Sequence, residues 1–344
     1  MNTAEMLLEW YDANKRSLPW RGTKDPYRIW LSEIMLQQTR AETVKGYYAR
    51  FLERFEDVFA LAAADTDEIL KMWEGLGYYS RARNLHKAAK IIAENGGAFP
   101  NTVKALEKLP GVGPYVARAI ASIAWNERVP ALDGNQMRVL SRFLGISRIL
   151  KTPFDIESEA MELISRNRPG DYNQALMDLG SAVCTPKKPT CEKCPLKSVC
   201  CAFAGGDPEF YPQRPVPIVK KEENRTIFII ECPGGIAIRR REEGGLLGGL
   251  YEFPSLDGFL SEKDAVSVLS GMGFKNPRDI KELGSAKHVF THLVWRMQGI
   301  YCRADAAPED VIIAGADEFS ARAFPTALRK YHEIANDILK KYEE

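Results

Sequence analysis

The chain of 344 residues lacks a bulk charge of either sign, since 47 lysines and arginines face 46 aspartates and glutamates and leave a formal net charge of +1. A surface that binds nucleic acid must therefore depend on local basic clusters. No apolar run approaches the roughly 20 residues that a membrane-spanning helix needs. Residues 1–16 also lack the basic-then-apolar pattern of a secretory signal peptide. These absences predict no membrane association and a location in the reducing cytoplasm.

Cysteines are few and unevenly placed. Of the seven, five lie between residues 184 and 201, a pattern that suits metal ligation better than disulfide staples. The candidate ligands are Cys184, Cys191, Cys194 and Cys200. Four thiolates in so short a segment can close around one tetrahedral ion or one cubane iron–sulfur cluster. Zinc motifs usually hold two separated Cys-x-x-Cys pairs, and only one such pair is present, but spacing alone leaves both metals open.

Hydrophobic periodicity divides the chain in two. Hydrophobic residues at 45% and charged residues at 27% are typical of a soluble globular protein. Residues 1–203 carry apolar residues at three- and four-residue spacing and predict an all-α domain. Residues 204–224 are rich in proline, glycine and charge and predict a linker. Residues 225–344 predict an α+β domain, with strands at 225–232, 235–241 and 294–302 and helices at 261–272 and 326–342.

A glycine-rich turn enters a helix in the stretch LPGVGPYVARAI, residues 109–120. Gly111 and Gly113 permit positive φ and close backbone approach, and Pro114 suits the first helical position. The free amides of the helix N-terminus would then face an anion. Further on, Asp133 precedes another amphipathic helix, where the ordinary role of an aspartate is to cap the helix.

The glycine hairpin, the downstream aspartate and the four-cysteine segment together resemble the endonuclease III superfamily of helix-hairpin-helix DNA glycosylases. Within it, the stretches WLSEIMLQQT, GLGYYSRARNLHKAA, DGN and NQALMDLGSAVCT resemble the adenine DNA glycosylases, the MutY family. The resemblance implies double-stranded DNA as partner and a 4Fe-4S cluster in the loop 184–200. It also implies that the amides around Gly111 and Gly113 hold a DNA phosphate, and that Asp133 drives cleavage of the glycosidic bond.

The resemblance also assigns the chemistry. Bifunctional relatives carry a lysine one residue after the position of Pro114, and that amine forms a Schiff base with the sugar. Here Tyr115 stands at this position, so we expect hydrolysis without strand cleavage. Glu33 lies on an otherwise apolar helix, and burial would keep it protonated as the general acid that activates adenine at N7. Asp133, kept ionised by loop and helix amides, would stabilise the oxocarbenium ion, while Asn135 and Tyr115 position Asp133 and the sugar.

Catalysis on a base requires that the nucleotide leave the duplex. In the stretch GLGYYSRARN, Tyr78 resembles the wedge residue of the family. Leu36, Gln38 and Thr39 would fill the gap that the extruded adenosine leaves in the stack. These residues predict the DNA-contacting surface.

The second domain contains GGLLGGLYEFP, which resembles the Nudix fold. A Nudix hydrolase needs an Arg-Glu pair followed by two glutamates for its metal. The corresponding positions hold Val266, Ser267, Ser270 and Gly271. No metal cage can form from these side chains, so pyrophosphatase activity is not expected.

The stretch HVFTHL resembles the loop by which the MutY family reads 8-oxoguanine. Phe290 would enter the base stack, while Thr291 and His292 would hydrogen-bond to the lesion. The common form of the motif has serine at position 291, and threonine keeps the hydroxyl. We expect the second domain to recognise the lesion.

The predicted function is a monomeric, monofunctional DNA glycosylase that removes adenine paired with 8-oxoguanine or guanine. One alternative is a thymine or uracil mismatch glycosylase, but such relatives generally lack the acid at Glu33 and the second domain. The other alternative is a non-catalytic iron–sulfur protein that binds DNA. A protein that binds DNA without catalysis would need neither Glu33 nor Asp133.

Overall fold

The computed structural model describes residues 2–213, 219–242 and 244–341. The chain forms two compact units, Met1–Ala64 with Asn84–Val216, and Asp65–Arg83 with Pro217–Glu344. Residues 65–83, which the sequence analysis included in the helical domain 1–203, therefore belong to the second unit. Part of the predicted linker, residues 214–218, lies outside the described residues. The last four residues of the predicted linker, 221–224, belong to the first strand.

Long-range polar contacts explain why the segment Asp65–Arg83 groups with the second unit. The carboxylate of Asp67 accepts hydrogen bonds from Arg240 at 3.0 Å and Arg322 at 3.3 Å. The Tyr79 hydroxyl donates to the Phe324 carbonyl oxygen at 3.1 Å. Helical periodicity carries no information about these partners, so the boundary could not be read from the sequence.

The helices of residues 1–213 follow the predicted all-α pattern. They are α1 Thr3–Asn14, α2 Pro26–Leu36, α3 Ala41–Arg54, α4 Val58–Ala63, α5 Thr66–Met72, α6 Ser80–Glu94, α7 Val103–Leu106, α8 Pro114–Ala124, α9 Gly134–Leu144, α10 Glu157–Leu163, α11 Pro169–Ala182 and α12 Cys201–Ala204. In the first unit α2 packs on α8, and α11 packs on α1, α8 and α9. This packing brings the start of α8, the start of α9 and the middle of α2 toward one another.

The second unit is built on a seven-stranded sheet. Its strands are β1 Lys221–Cys232, β2 Gly235–Arg240, β3 Tyr251–Glu252, β4 Ser255–Asp257, β5 Arg278–Val289, β6 Leu293–Arg303 and β7 Ile312–Ala314. Its helices beyond residue 219 are α13 Glu262–Gly271, α14 Ala316–Ala321 and α15 Arg329–Lys340. The order is β3-β2-β1-β6-β5, with β4 on β1 and β7 on β2. Only the β1–β6 pair is parallel among the described strands.

Two cores lie on opposite faces of this sheet. Alternate residues of β1 point to opposite faces, as the pleat requires. Ile227 and Ile229 pack with Tyr331 of α15, while Phe228 and Ile230 pack with α13. Three predicted strands and two predicted helices are confirmed. Strand β5 was missed because its residues are mostly exposed and polar and give no apolar alternation. Within the described residues, no helix is long and apolar enough to cross a membrane.

Candidate active site and DNA-contact residues

One cavity of the first unit, of about 760 Å³, collects the predicted catalytic residues. Glu33 reaches it from α2, Tyr115 from the first turn of α8, and Asp133 and Asn135 from the start of α9. The predicted gap-filling residues also line it, namely Leu36, Gln38 and Thr39. Residues 33 and 133, a hundred positions apart in the chain, thus share a cavity large enough for a nucleoside.

Glu33 is a buried acid, as the apolar spacing of α2 predicts. Its residue is 5% exposed, and its Oε2 accepts a hydrogen bond from the Tyr115 hydroxyl at 2.8 Å. Burial raises the pKa of Glu33 above its ordinary value, and the negative charge of Asp133 raises it further. The hydrogen bond from Tyr115 and the charge of Arg21 lower the pKa and oppose this rise only in part. Glu33 is therefore suited to hold a proton.

Asp133 occupies the N-cap of α9. Its Oδ1 accepts from the Gln136 backbone amide at 2.7 Å, and its Oδ2 accepts from Asn135 Nδ2 at 3.1 Å. Burial raises the pKa of Asp133, whereas these donors and the charge of Arg138 lower it. The sequence led us to expect amides that keep this carboxyl ionised. The amides are present, but they offset only part of the rise in pKa that burial causes.

The order of ionisation follows from the donors that each carboxyl receives. Asp133 has a backbone donor on Oδ1 and a side-chain donor on Oδ2, and the cation of Arg138 lies nearby. Glu33 has one donor, Tyr115, and has the cation of Arg21 nearby, but it also faces the negative charge of Asp133. Since donors favour the charged form, the greater number of donors on Asp133 favours the carboxylate there and a shared proton on Glu33. The pair can supply one neutral acid and one carboxylate.

Tyr115, which the sequence analysis assigned together with Asn135 to the positioning of Asp133 and the sugar, contacts Glu33. Its hydroxyl lies 2.8 Å from Glu33 Oε2 and 3.2 Å from Met177 Sδ, so two acceptors face a single proton. Burial and the neighbouring carboxylates raise the pKa of Tyr115 well above its ordinary value. The phenol stays neutral and holds the acid. Asn135 does contact Asp133 as predicted.

Sequence reasoning missed a cation at the back of the cavity. Arg21 donates from Nη2 to Asp178 at 3.1 Å and from Nη1 to Tyr11 at 3.1 Å and to Gln174. Asp178, 1% exposed, also accepts from Arg16 at 2.6 Å. These contacts fix the guanidinium of Arg21 beside Glu33. Both Gln174 and Asp178 lie in the stretch NQALMDLG, but neither its periodicity nor its composition pairs them with residue 21.

A hydrogen-bonded path leads from Asp133 toward the cysteine segment. Asn135 Oδ1 accepts from Arg138 Nη2 at 2.8 Å. Arg138 in turn donates from Nε to the Cys184 carbonyl oxygen at 2.9 Å and from Nη2 to the Gly180 carbonyl at 2.7 Å. The orientation of Asn135, and through it that of Asp133, is therefore tied to the backbone at Cys184.

The glycine hairpin presents a free helix terminus. Gly111 has φ of +76°, and a Cβ there would lie 2.7 Å from the Cβ of Asn84. Gly113 instead has φ of −84°, so only Gly111 uses the positive φ that the sequence analysis allowed to both. Gly113 caps α8 without a side-chain hydrogen bond, and no atom within 4 Å would meet a Cβ there. No side chain caps the first turn of α8, so its free amides suit an anion, and the phosphate contact stays a prediction.

The predicted wedge, Tyr78, is 48% exposed and has φ of +48°, a strained value for a tyrosine. Arg81 stabilises this turn. Its Nη2 donates to the carbonyls of Leu76 and Gly77, each at 3.0 Å, and its guanidinium lies 5.7 Å from the centre of the Tyr78 ring. The turn is therefore held in a shape that presents the ring to solvent.

The predicted lesion-reading loop lies between β5 and β6. Thr291 Oγ1 is 3.0 Å from the Tyr78 hydroxyl, so the loop meets the wedge within the second unit. The ring of Phe290 packs edge-on against His288 at 4.6 Å and Trp295 at 4.9 Å. Entry of Phe290 into a base stack would require it to leave these contacts. His292 is exposed, and its backbone carbonyl accepts from the Lys221 amide at 3.3 Å.

The four predicted ligands surround one small cavity behind α9. It is lined by Cys184, Cys191, Cys194 and Cys200 together with Arg142, Lys197 and apolar side chains. Arg142, 2% exposed, donates to Cys184 Sγ at 3.4 Å and to the Thr185 carbonyl at 2.7 Å. Cys201 is exposed and lies outside this lining. Burial raises the pKa of Cys194 to about 11, so its thiolate needs a bound cation.

The four thiols together form a donor set for a metal. Within residues 2–213, 219–242 and 244–341, no three His, Cys, Asp or Glu side chains are grouped to hold one metal ion. The four thiols nevertheless share one cavity, and Arg142 and Lys197 also line it. These two cations would favour the negatively charged thiolates that bind a metal.

Comparison with known proteins agrees with this geometry. Residues 31–166 match the model of the HhH-GPD superfamily base excision DNA repair proteins, and residues 226–333 match the NUDIX domain. The adenine DNA glycosylase of Mus musculus is 33% identical over 96% of this chain and 77% of its own length. That of Homo sapiens is 32% identical over 95% of this chain and 73% of its own length.

The chain belongs to the adenine DNA glycosylase family. It is a base excision repair enzyme that acts on N-glycosidic bonds, with a helix-hairpin-helix domain followed by a Nudix-like one. The chain spans 55% of the length of the Arabidopsis thaliana relative, which is 36% identical over 83% of this chain.

Solved structures locate the part that adenine DNA glycosylases share with other enzymes. A thermostable thymine-DNA glycosylase aligns with a TM-score of 0.53 and 29% identity over 59% of this chain and 95% of its own. An endonuclease III–DNA complex, 23% identical with a TM-score of 0.51, has the same fold over 60% of this chain. Nearly all of each neighbour is covered by about three-fifths of this chain. The other two-fifths of this chain have no counterpart in either neighbour.

The two carboxyls of this glycosylase predict a bell-shaped dependence of base release on pH. With Glu33 as the predicted acid, the rate is expected to fall as pH rises through its pKa, and with Asp133 as the predicted carboxylate, the rate is expected to fall as pH drops through its pKa. Because burial raises both pKa values, both limbs are expected above the pKa of an ordinary glutamate or aspartate. Single-turnover rates from about pH 4 to about pH 9 would measure the two limbs.

Tyr115→Phe is the matched variant for this profile. It removes the hydrogen bond that lowers the pKa of Glu33, so the alkaline limb is expected to move to higher pH. A limb that stays in place in Tyr115→Phe would contradict the assignment of that limb to Glu33.

Proposed function

We propose that this enzyme hydrolyses the N-glycosidic bond of adenine paired with 8-oxoguanine or guanine, and leaves the DNA strand intact. The observation that carries the proposal is the pairing of a buried carboxyl, Glu33, with a partly buried one, Asp133, in one cavity, with a phenol where bifunctional enzymes need an amine. Glu33 and Asp133 have different donors and so different protonation states. One neutral acid and one carboxylate suit the departure of a purine from a deoxyribose, because the acid can protonate the base while the carboxylate stabilises the sugar cation.

The proposed reaction begins with transfer of the Glu33 proton to N7 of the extruded adenine. The glycosidic bond then breaks, and its electron pair leaves with the protonated base. As Glu33 becomes charged, the hydrogen bond from Tyr115 and the charge of Arg21 stabilise its carboxylate. The carboxylate of Asp133 stabilises the sugar cation, water adds to C1′, and the proton that this water loses returns to the carboxylate of Glu33.

We propose a DNA duplex as the partner, with the adenosine turned out of the stack. The open amides at Gly111 and Gly113 suit a backbone phosphate, and the exposed ring of Tyr78 suits insertion between bases. Leu36, Gln38 and Thr39 would occupy the space that the adenosine leaves. Loop Phe290–His292 would contact the base opposite the adenosine. The Thr291 hydroxyl would then give up its hydrogen bond with the Tyr78 hydroxyl and form one with the lesion. The monomeric state and the cytoplasmic location stay predictions.

We propose a 4Fe-4S cluster on Cys184, Cys191, Cys194 and Cys200. Bound there, it would hold the loop 184–200 in shape, and the path through Arg138 and Asn135 would make the placement of Asp133 depend on that loop. Protein purified without oxygen should contain about four iron and about four acid-labile sulfide per chain. Cys194→Ser should lose the iron, and Cys201→Ser, the matched control, should keep it. About one zinc per chain with no iron would contradict the proposal.

A lysine at position 115 is expected to confer strand cleavage. The tyrosine already faces the cavity that holds both carboxyls, so an amine there could attack C1′ and form a Schiff base. Tyr115→Lys should give a borohydride-trapped covalent adduct on a duplex with a preformed abasic site opposite 8-oxoguanine. This substrate separates the test from any loss of base release. Tyr115→Gln has no amine and should give no adduct. A Tyr115→Lys enzyme that binds this duplex without trapping would refute the assigned geometry.

The test of the proposed function is base release from four duplexes that differ in one pair. Adenine should be released from A·8-oxoguanine and A·G pairs, and no base from T·G or U·G pairs. Release of thymine or uracil in preference to adenine would favour the mismatch-glycosylase alternative. Duplex binding without release of any base would favour a non-catalytic protein.

A further inference from the structure

The second unit has a groove at the end of its sheet that the glycosylase reaction does not use. The C-terminal ends of β1 and β6, the start of β5 and the last turns of α15 enclose a cavity of about 720 Å³. Its floor is apolar and its rim is basic. We call it the basic groove, with floor Leu283, Tyr301, Ile334 and Ile338 and rim Arg278, Lys281, Arg303 and Lys341. We propose that the basic groove docks an acidic peptide segment of a partner protein, anchored by apolar side chains.

The floor is apolar where a solvent-facing surface is ordinarily polar. Helix α15 buries Tyr331, Ala335 and Leu339 against the sheet. Ile334 and Ile338 lie beside this stripe, partly buried at the edge of the core, and line the groove. Their apolar side chains add a surface that gains free energy when another apolar group covers it.

The positive charge of the rim favours a partner with negative charge. Four cations line the groove, and Glu231 is the one acid among its described lining residues. Lys281 and Lys341 form no ion pair with the described part of the chain. Two ammonium groups that have no ion pair among the described residues, over an apolar floor, attract carboxylates and repel a basic peptide.

Part of the rim is held in place before any partner binds. The buried carboxylate of Glu231 pairs with Arg303 Nε at 3.2 Å and accepts a hydrogen bond from the Tyr301 hydroxyl. Arg278 is fixed by Asp305, at 2.5 Å. Ordered side chains lose less conformational entropy on binding, so this half of the rim favours recognition of a defined segment.

The observations favour a peptide over the DNA substrate. Phosphate contacts require cations but no apolar floor. The groove also lies at the start of β5, whereas the lesion-reading loop follows its end at Val289. From Lys281 on the rim to Val289 the strand runs for eight residues, roughly 26 Å at about 3.3 Å per residue. A duplex read by loop Phe290–His292 and a peptide in the groove can therefore be bound together.

A phage library of random peptides about twelve residues long, selected on the full chain, tests the proposal. Enriched peptides should combine acidic residues with aromatic or aliphatic ones. Synthesised and labelled, they should bind the double variant Lys281→Glu with Lys341→Glu at least about tenfold more weakly. The matched control Lys263→Glu, an exposed position on α13 outside the groove, should leave their affinity unchanged. Adenine release by the double variant should equal that of the parent enzyme.

Three results would overturn the proposal. The first is an enriched set with no excess of acidic residues, or no enrichment at all. The second is equal affinity of these peptides for the parent and the double variant. The third is displacement of the peptides by an undamaged DNA duplex in the parent but not in the double variant, which would assign the groove to nucleic acid.

Discussion

Glu33→Gln is expected to slow adenine release by about 10³-fold or more, close to the full effect of a general acid. Glutamine has the shape of the protonated acid, and its carbonyl can still accept the Tyr115 hydrogen bond, but it has no proton that it can give to N7. The cavity therefore stays formed while its acid is lost. Single-turnover release of free adenine from an A·8-oxoguanine duplex, measured with enzyme in excess, reports this step alone.

The control for Glu33→Gln is the same change at an exposed site. Glu53 on α3 is exposed, and Glu53→Gln should release adenine at the parental rate. Both variants should bind the duplex with the parental affinity, because neither change alters a predicted DNA contact. A Glu33→Gln enzyme within a few-fold of the parental rate would exclude Glu33 as the acid.

Asp133→Asn is expected to lower adenine release by about 10²- to 10³-fold, the usual cost of losing one electrostatic contact to a transition state. Asparagine caps a helix about as well as aspartate, so the start of α9 and its hydrogen bond with the Gln136 amide should persist. What disappears is the negative charge that faces the sugar cation. Duplex affinity should hold or rise, because the substitution removes a carboxylate near the phosphates.

An N-cap elsewhere in the same unit supplies the matched control. Asp57 caps α4 by accepting from the Ala60 amide at 2.8 Å and lies outside the active-site cavity. Asp57→Asn should keep both the melting temperature and the rate of the parent. If Asp133→Asn behaved like Asp57→Asn, capping would be the whole role of Asp133.

The sequence predicts the parts of this site whose information is local. The apolar spacing of α2 predicts a buried Glu33, and the residues after Asp133 predict a capped helix. The spacing of the four cysteines predicts that they share one site. Each of these features depends on neighbours within a few turns of chain, where periodicity and capping rules apply.

Features that depend on distant partners could not be predicted. The bond from Arg21 to Asp178 joins positions 157 residues apart, and its effect on Glu33 appears only in the folded chain. The contact of Tyr115 with Glu33 was not predicted, because the sequence gives its helix but not the direction of its hydroxyl. Strand β5 was missed since an exposed strand carries no apolar pattern. The attachment of Asp65–Arg83 to the second unit depends on contacts with Arg240, Arg322 and Phe324.

The most direct measurement compares adenine with 7-deazaadenine, each opposite 8-oxoguanine, under single turnover by the parent enzyme. The analogue pairs and stacks like adenine but has carbon in place of N7, so Glu33 has nothing to protonate there. We expect tight binding of the 7-deazaadenine duplex and release of its base at least about 10³-fold slower than adenine. Release of both bases at similar rates would show that departure needs no proton at N7, and that the mechanism assigned to Glu33 is wrong.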